Sequence, residues 1–220
     1  MSKKTRVVVA VSGRGRSLLN LKEKEKTYGN YTVCGVISSA RGCQANLLAR
    51  DLKLPLFFYP DSKAQSEPQL KDSLSNWLDS LDCQWLLLAG YLKKFPLQFK
   101  SQKAWTRQLL NIHPSLLPDF GGAGMYGRRV HEAVLKAGAS QSGASVHLLS
   151  SDYDKGPLLA QVRCKLQEQL SSQELAEKVF ALEKKLYPFV LSQVIEKKLP
   201  LAYGKVLSLS EEELEKKLKD

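Results

Sequence analysis

Short apolar runs alternate with amphipathic segments along the first half of the chain. The run Arg6–Val11 leads into a glycine turn, as expected of a strand buried on both faces. Similar runs predict strands at Tyr31–Ile37, Pro55–Tyr59, Trp85–Ala89 and Leu109–Ile112. The segments between them predict helices at Ser17–Lys26, Gln44–Lys53 and Gln69–Leu81. This alternation predicts an α/β fold with an open, twisted, mainly parallel sheet flanked by helices.

The second half of the chain has a different pattern. It predicts two strands, Ala144–Leu149 and Pro157–Cys164, that are separated by a polar turn. A long helix is predicted from about Ser172 to Lys198, with a kink at Pro188. The charged segment Glu211–Asp220 predicts a short solvated helix.

No internal repeat, low-complexity linker or change of composition divides the chain. Its 220 residues suit one α/β domain of ordinary size. We therefore predict a single domain over residues 1–220, with a Rossmann-like half at 1–110, a second half at 111–200 and a tail at 201–220.

The composition is that of a globular protein, with 43% apolar and 25% charged residues. No stretch approaches the roughly 18 consecutive apolar residues of a membrane span. The first residues also lack the apolar core of a signal peptide. Secreted, integral-membrane and disordered classes are therefore disfavoured.

Four cysteines are widely spaced along the chain: Cys34, Cys43, Cys83 and Cys164. Their spacing and their apolar surroundings favour buried free thiols over disulfides or metal ligands. Free thiols in turn predict a reducing, cytoplasmic location.

The formal net charge is +11, and nearly all of the excess lies in residues 1–110. A basic chain of this kind binds nucleic acid, an anionic membrane or phosphorylated small molecules. The aromatic residues lie mainly in strands and apolar runs, whereas a nucleic-acid-binding surface interleaves exposed aromatic and basic residues. A non-catalytic nucleic-acid-binding protein is therefore disfavoured, although the composition leaves it open.

A glycine-rich turn, Ser12–Ser17, follows the first strand and precedes the first helix. Such a turn lets backbone N–H groups at a helix N-terminus approach an anion. Arg14 and Arg16 would add charge-assisted contacts to a phosphate. Leu18 stands where a dinucleotide-binding loop has its third glycine, so that function is poorly supported. The residues alone support a phosphate loop and a simple tight turn equally.

The segment Asn111–Pro118 lies at the carboxyl end of the predicted fifth strand, the edge where open α/β sheets bind ligands. Asn111 and His113 are two residues apart in an extended stretch, so their side chains point to the same face. An amide donor can stabilise a developing oxyanion, and an imidazole can handle a proton near neutral pH. This pair predicts acyl-transfer chemistry.

Other candidate residues have simpler interpretations. Asp154 could orient or discharge a histidine, although aspartate is also common in turns. His131 and His147 are expected to be hydrogen-bonded core or surface residues. No metal-ligand spacing and no G-x-S-x-G motif occur, so no metal is expected and the substrate would have to supply the nucleophile.

Taken together, four motifs closely resemble the folate-dependent formyltransferases of purine biosynthesis. They are Ser12-Gly-Arg-Gly15, Leu88-Ala-Gly-Tyr-Leu92, Asn111-Ile-His-Pro-Ser-Leu-Leu-Pro118, and Ser142-Gly-Ala-Ser-Val-His147 with Asp154-Lys-Gly-Pro157. The resemblance runs from the first strand to about Pro188. It implies that 10-formyltetrahydrofolate, a co-substrate rather than a tightly held cofactor, donates its formyl group to the amine of glycinamide ribonucleotide.

The resemblance also implies roles for individual residues. Asn111, His113 and Asp154 correspond to the catalytic set of the family, and His147 to a histidine behind it. The implied ribonucleotide-binding residues are Ser12, Gly13, Arg14, Gly15, Arg16 and Glu183. The implied folate-binding residues are Tyr91, Leu92, Lys93, Lys94 and Phe95.

Three positions depart from the family pattern. Arg14 and Arg16 replace small polar residues of the phosphate loop, and Phe180 stands where a polar substrate contact is frequent. The segment after Pro118 is also rich in glycine. These departures concern the contacts to the substrates and leave the reaction type unchanged.

Two related activities remain as alternatives. A formyltetrahydrofolate hydrolase normally carries an additional N-terminal domain, for which a first strand at Arg6 leaves no room. A methionyl-tRNA formyltransferase normally has a C-terminal β-barrel that the tail is too short to form. We therefore expect two anionic small molecules as partners, without nucleic acid or membrane, for a monomer or homodimer.

Overall fold

The computed structural model describes residues 3–60, 66–97, 108–201 and 204–219. The chain forms two compact units, Met1–Leu110 and Asn111–Asp220. The boundary between them coincides with the boundary between the two predicted halves. The assignment of both halves to one domain stays a prediction.

Strands and helices alternate along the described residues of the first unit. The strands are β1 (Thr5–Val11), β2 (Tyr31–Ser38), β3 (Leu56–Phe58) and β4 (Trp85–Leu88). The helices are α1 (Arg16–Tyr28), α2 (Gln44–Asp51) and α3 (Glu67–Ser80). Each lies within a few residues of its predicted position, because the apolar runs were long enough to identify it.

The strands of the first unit are ordered β3-β2-β1-β4, and each neighbouring pair is parallel. Residues 7–11 of β1 are buried, as expected of a strand between two neighbours. The chain extends the sheet to one side of β1 and then returns to its other side. This reversal makes the carboxyl ends of β1 and β4 a topological switch point, where ligands bind in open α/β sheets.

The second unit contains a mixed set of strands. The strand β5 (Leu109–His113) crosses the boundary and is followed by α4 (Arg128–Lys136), β6 (Gln141–Leu148) and β7 (Leu158–Lys165). The helix α5 (Ser172–Ile195), the strand β8 (Leu207–Ser210) and the helix α6 (Glu211–Lys217) complete it. The strand order is β5-β6-β7-β8, in which β6 and β7 are antiparallel and β7 and β8 are parallel.

The long helix α5 begins at Ser172, as predicted, and the residue before it caps its N-terminus. Ser171 is the N-cap, and its hydroxyl accepts a hydrogen bond from the backbone N–H of Glu174. The Glu174 carboxylate accepts from the backbone N–H of Ser171 in return, which completes a capping box. The helix continues through Pro188 to Ile195, and α5 packs on β6 and β7.

The tail differs from the sequence prediction. The strand β8 was not predicted, because its short run Leu207–Ser210 has only two apolar residues. The predicted solvated helix corresponds to α6, but its Leu214 is fully buried and Lys185 of α5 pairs with Glu215. The tail therefore contributes to the core of the second unit.

The predicted α/β class with mainly parallel strands flanked by helices is confirmed. The four cysteines are free, as predicted, and Cys43 alone among them is partly exposed. Over the described part of the chain, no helix combines the length and apolar character needed to cross a membrane.

Gly143 of β6 offers a direct test of the β6–β7 pairing. A Cβ at this position would lie only 1.9 Å from the carbonyl oxygen of Val162 on β7, a backbone atom that cannot rotate away. We expect Gly143→Ala to lower the free energy of unfolding by about 1 to 3 kcal/mol, because the strands must move apart. Gly42→Ala is the control, since a Cβ there meets no atom within 4 Å. Equal stability of the two variants in urea unfolding would contradict the pairing.

Candidate active site

The end of β5 presents two of the predicted catalytic side chains on one face. Asn111 is partly exposed, and His113 is 4% exposed. Strand geometry places the side chains of alternate residues on the same side, while Ile112 points into the core. The backbone thus fixes the amide beside the imidazole.

Asp154 reaches the same face from the loop between β6 and β7. Its backbone is left-handed, with φ 56°, a conformation that aspartate tolerates better than most residues. Its Oδ2 lies 3.4 Å from His113 Nδ1, and its Oδ1 lies 3.4 Å from Asn111 Nδ2. The structure therefore brings together the three side chains that the sequence assigned to catalysis.

The hydrogen bonds of His113 fix which of its nitrogens faces the carboxylate. Its Nε2–H donates to the carbonyl oxygen of Phe120 at 2.9 Å, and a carbonyl can only accept. Nδ1 is then the nitrogen that faces Asp154 and can gain or lose a proton. The sequence did not identify Phe120, because its contribution is a backbone carbonyl.

His147, near the end of β6, lies beside this group. Its Nδ1–H donates to the carbonyl oxygen of Leu148 at 2.8 Å, and its Nε2 is 3.0 Å from Asn111 Nδ2. Nε2 also lies 3.5 Å from Asp154 Oδ1. His147 is therefore a hydrogen-bonded residue, as predicted, and its place behind a catalytic set stays a prediction.

The glycine-rich segment after Pro118 supplies a further donor. The backbone N–H of Gly122 donates to Asp154 Oδ2 at 2.9 Å. A Cβ at Gly121 would overlap the side chain of Leu117 and lie 3.2 Å from the Cβ of Asp154. Glycine at 121 thus lets this segment approach the carboxylate. In the sequence, the run of glycines is the only signal of this role.

Side chains of β6 and β7 hold the chain as it leaves β5. The Ser145 hydroxyl donates to the carbonyl oxygen of Ser115 at 2.6 Å and accepts from the Leu117 N–H at 3.0 Å. The Gln161 amide donates to the carbonyl oxygen of Leu117 at 2.8 Å. These buried bonds fix the loop whose later residue Phe120 orients His113.

Burial and charge set the protonation states of the site. Burial lowers the pKa of His113 below the ordinary 6.5, and the opposing effects of the Asp154 carboxylate and the Phe120 carbonyl do not cancel that shift. Burial acts to raise the pKa of Asp154, but His147, His113 and the Gly122 N–H outweigh it and lower that pKa. At neutral pH the site therefore holds a carboxylate and a mainly neutral imidazole at position 113.

His131 lies on α4 and is 4% exposed. Burial, followed by the charge of His113, lowers its pKa to about 4. Its Nδ1 has no hydrogen-bond partner among the described residues. His131 is therefore a neutral core residue, and the predicted hydrogen bond is absent at that nitrogen.

The predicted phosphate loop lies at the switch point of the first unit. Gly15 is the N-cap of α1 with φ 77°, and a Cβ there would lie 3.0 Å from the Cβ of Ala45. Among the residues that the structure describes, no side chain caps the helix, and its first turn holds no acidic residue. Arg14 and Arg16 are exposed, and Gly13 has open space around it. The positive end of the helix dipole therefore lies at this loop.

Ser12 connects this loop to the segment after β4. Its N–H donates to the carbonyl oxygen of Gly90 at 3.1 Å, and its hydroxyl accepts from the Leu92 N–H at 2.8 Å. The same hydroxyl is hydrogen-bonded to the hydroxyl of Ser39. The Ser12 side chain is therefore part of the framework between three loops.

The predicted folate-binding segment divides into buried and exposed residues. Tyr91 and Phe95 are buried with their ring centres 5.3 Å apart, and the Tyr91 hydroxyl donates to the carbonyl oxygen of Tyr59. Leu92 is 46% exposed, and Lys93 and Lys94 are exposed. The aromatic pair anchors the segment, and the other three side chains are accessible to a ligand.

Glu183 lies on α5 and is partly exposed. Its charge adds to the effect of burial in raising the pKa of Tyr187. Phe180 lies one turn earlier, and the Lys184 ammonium lies 5.5 Å from its ring centre.

An amide, an imidazole and an ionised carboxylate converge at the end of β5. Neither His113 nor His147 is hydrogen-bonded to a serine or cysteine side chain in the described residues. The same residues contain no group of three His, Cys, Asp or Glu side chains suited to a metal ion. This arrangement of an amide donor, an imidazole and a carboxylate at a strand end is suited to acyl transfer.

Comparison with known proteins identifies the family. The sequence profile of the formyl transferase family matches residues 5–191, and the chain belongs to that family. The prediction of a formyltransferase is thus confirmed.

Individual relatives support the same family. The chain is 34% identical to the chloroplastic phosphoribosylglycinamide formyltransferase of Arabidopsis thaliana, over 90% of this chain and 68% of that protein. It is 26% identical to the phosphoribosylglycinamide formyltransferase of Haemophilus influenzae, over 89% of this chain and 90% of that protein. The crystal structure of the Anaplasma phagocytophilum enzyme of that name superposes with a TM-score of 0.79 and 26% identity, over 95% of this chain and 100% of that one.

The pKa of His113 tests the electrostatics of the site. The Asp154 carboxylate acts to raise this pKa, so Asp154→Asn should lower it further. NMR titration of the His113 imidazole signals would measure the change. Asp152→Asn is the control, because the Asp152 side chain is 66% exposed and should leave the titration unchanged. A raised His113 pKa in Asp154→Asn would contradict the assigned contact.

Proposed function

We propose that the protein transfers the formyl group of 10-formyltetrahydrofolate to the amine of glycinamide ribonucleotide, in purine biosynthesis. The observation that carries the proposal is the convergence of Asn111, His113 and Asp154 at the end of β5 in a chain of the formyl transferase family. The name shared by its relatives supports this acceptor.

The reaction begins with attack of the neutral substrate amine on the formyl carbon. A C–N bond forms, and the carbonyl electron pair moves onto the formyl oxygen. The Asn111 amide donates to this oxyanion. The bond to the folate nitrogen then breaks, which gives formylglycinamide ribonucleotide and tetrahydrofolate.

His113 carries the proton through this sequence. Its lowered pKa leaves Nδ1 free to take the proton that the attacking amine loses. The resulting imidazolium lies 3.4 Å from Asp154 Oδ2, and the carboxylate stabilises its charge. The imidazolium in turn helps to stabilise the oxyanion. The proton then passes to the folate nitrogen as that nitrogen leaves. Asp154 thus assists the transfer through His113.

Both substrates are anions, which suits the basic first unit. The ribonucleotide phosphate binds the backbone of Gly13 and Gly15 at the uncapped N-terminus of α1, with charge supplied by Arg14 and Arg16. Ser12 holds this loop in place, and Glu183 contacts the ribonucleotide.

The folate occupies the accessible surface of the segment after β4. Leu92 provides an apolar contact, and Lys93 and Lys94 provide positive charge beside it. The buried side chains of Tyr91 and Phe95 hold that segment in place. The folate is consumed in each turnover, so no tightly bound cofactor is required.

The protein acts in this proposal as a cytoplasmic monomer or homodimer that binds neither nucleic acid nor membrane. Four free thiols support a reducing compartment. The basic excess lies in the same half of the chain as the phosphate loop, which supports small anions as partners.

The decisive experiment incubates the purified chain with 10-formyltetrahydrofolate, with and without glycinamide ribonucleotide, while the folate absorbance is followed. We expect deformylation only when the ribonucleotide is present. Deformylation at the same rate without the ribonucleotide would indicate a hydrolase, in which water replaces the amine.

His113→Ala should reduce kcat by about 100-fold to 10,000-fold, because the proton carrier is lost. The dissociation constant for the ribonucleotide should change much less, since its phosphate binds elsewhere. Steady-state kinetics and calorimetry measure the two effects, with thermal unfolding as the check on the fold. Equal losses of turnover and binding would assign His113 to substrate positioning only.

The double variant Arg14→Asn, Arg16→Asn should raise the KM for the ribonucleotide about tenfold, as expected for the loss of charge-assisted contacts to a phosphate. The KM for the folate should stay nearly constant. A matched control is Arg50→Asn with Lys53→Asn, which removes the same charge elsewhere in the first unit. A similar rise in both double variants would attribute the effect to net charge.

A further inference from the structure

His147 occupies an irregular position in the sheet. The register of β6 against β7 shifts between Val146 and His147, and the imidazole is 2% exposed. Such irregularities re-aim side chains next to active sites. Here the imidazole lies between the carbonyl group of Leu148 and the amide of Asn111.

The hydrogen bond to Leu148 determines the tautomer of a neutral His147. The Leu148 carbonyl oxygen accepts at 2.8 Å, so Nδ1 carries the hydrogen. Nε2 then carries a lone pair, which points at the Asn111 amide 3.0 Å away. Only the NH₂ end of an amide can donate to that lone pair.

The orientation of Asn111 follows from this tautomer. With Nδ2 beside His147, one amide hydrogen reaches Nε2 at 3.0 Å and the other points toward Asp154 Oδ1 at 3.4 Å. A flipped amide would place Oδ1 against both the lone pair and the carboxylate. Among the described residues, these are the hydrogen bonds of the Asn111 side chain.

We infer that His147 is a positioning residue, which holds the NH₂ end of Asn111 toward the reacting formyl oxygen by accepting one of its hydrogens. The second hydrogen makes only the longer contact to Asp154, so it can turn to the oxyanion as that charge develops. The inference rests on the proposed function for its kinetic consequence. The tautomer of His147 and the orientation of the Asn111 amide can be measured without substrate.

The tautomer is measured on the full-length, ¹⁵N-labelled protein at neutral pH. Long-range ¹H–¹⁵N correlation of His147 should show hydrogen on Nδ1 and none on Nε2. The side-chain NH₂ signals of Asn111 should be separate and exchange slowly with water. Hydrogen on Nε2, in either the other tautomer or the imidazolium, would overturn the inference.

Two variants separate acceptance of the hydrogen bond from packing. His147→Phe keeps a ring without an acceptor, and His147→Gln places an amide oxygen near the position of Nε2. We expect His147→Phe to lower kcat by at least tenfold with less than a twofold change in the ribonucleotide KM. His147→Gln should recover most of kcat. Equal losses in the two variants, or a loss confined to KM, would overturn the inference.

The outcomes also separate this inference from the proposed function. A wild-type chain without formyl transfer would overturn the proposed function, and the NMR measurements would still decide the orientation of Asn111. If His147→Phe does not fold, the inference is tested by the tautomer of the wild-type protein and by the activity of His147→Gln. If His147→Gln folds but is inactive, the inference that His147 acts by accepting a hydrogen bond from Asn111 is overturned.

Discussion

Ionised at neutral pH and only 11% exposed, the Asp154 side chain needs donors that replace the water it has lost. The Gly122 N–H and the Asn111 amide supply two of them, at 2.9 and 3.4 Å. Neither carries a positive charge. His113 is mainly neutral beside it, because burial lowers its pKa. The carboxylate can therefore stabilise the His113 imidazolium, which exists only while Nδ1 of His113 is protonated.

This one buried charge constrains the backbone around it. The left-handed conformation of Asp154 turns its side chain toward β5, and Gly121 leaves room for the following N–H to reach Oδ2. Ser145 and Gln161 hold the loop that carries the Phe120 carbonyl. The residues that fix the carboxylate and the imidazole are thus spread over two loops and the strands β6 and β7. A change at one of them alters the geometry of the others.

The sequence alone predicted most of the fold and the three side chains that converge at the end of β5, and it did so for different reasons. Long apolar runs such as Val7–Val11 identify buried strands, and the spacing of Asn111 and His113 places both on one face of β5. The strand β8 was missed because only Leu207 and Leu209 are apolar, so burial there depends on β7 and α6. Backbone groups such as the Phe120 carbonyl carry no sequence signal, since every residue has one.

The two histidines near Asp154 show why such backbone groups matter. Each uses one nitrogen to donate to a main-chain carbonyl, His113 to Phe120 and His147 to Leu148. Each therefore has one nitrogen left, and both remaining nitrogens face Asp154, at 3.4 and 3.5 Å. Proton exchange at His113 is confined to the side that holds the carboxylate. A sequence can place two histidines in this neighbourhood, but only the fold decides which atom of each is available for chemistry.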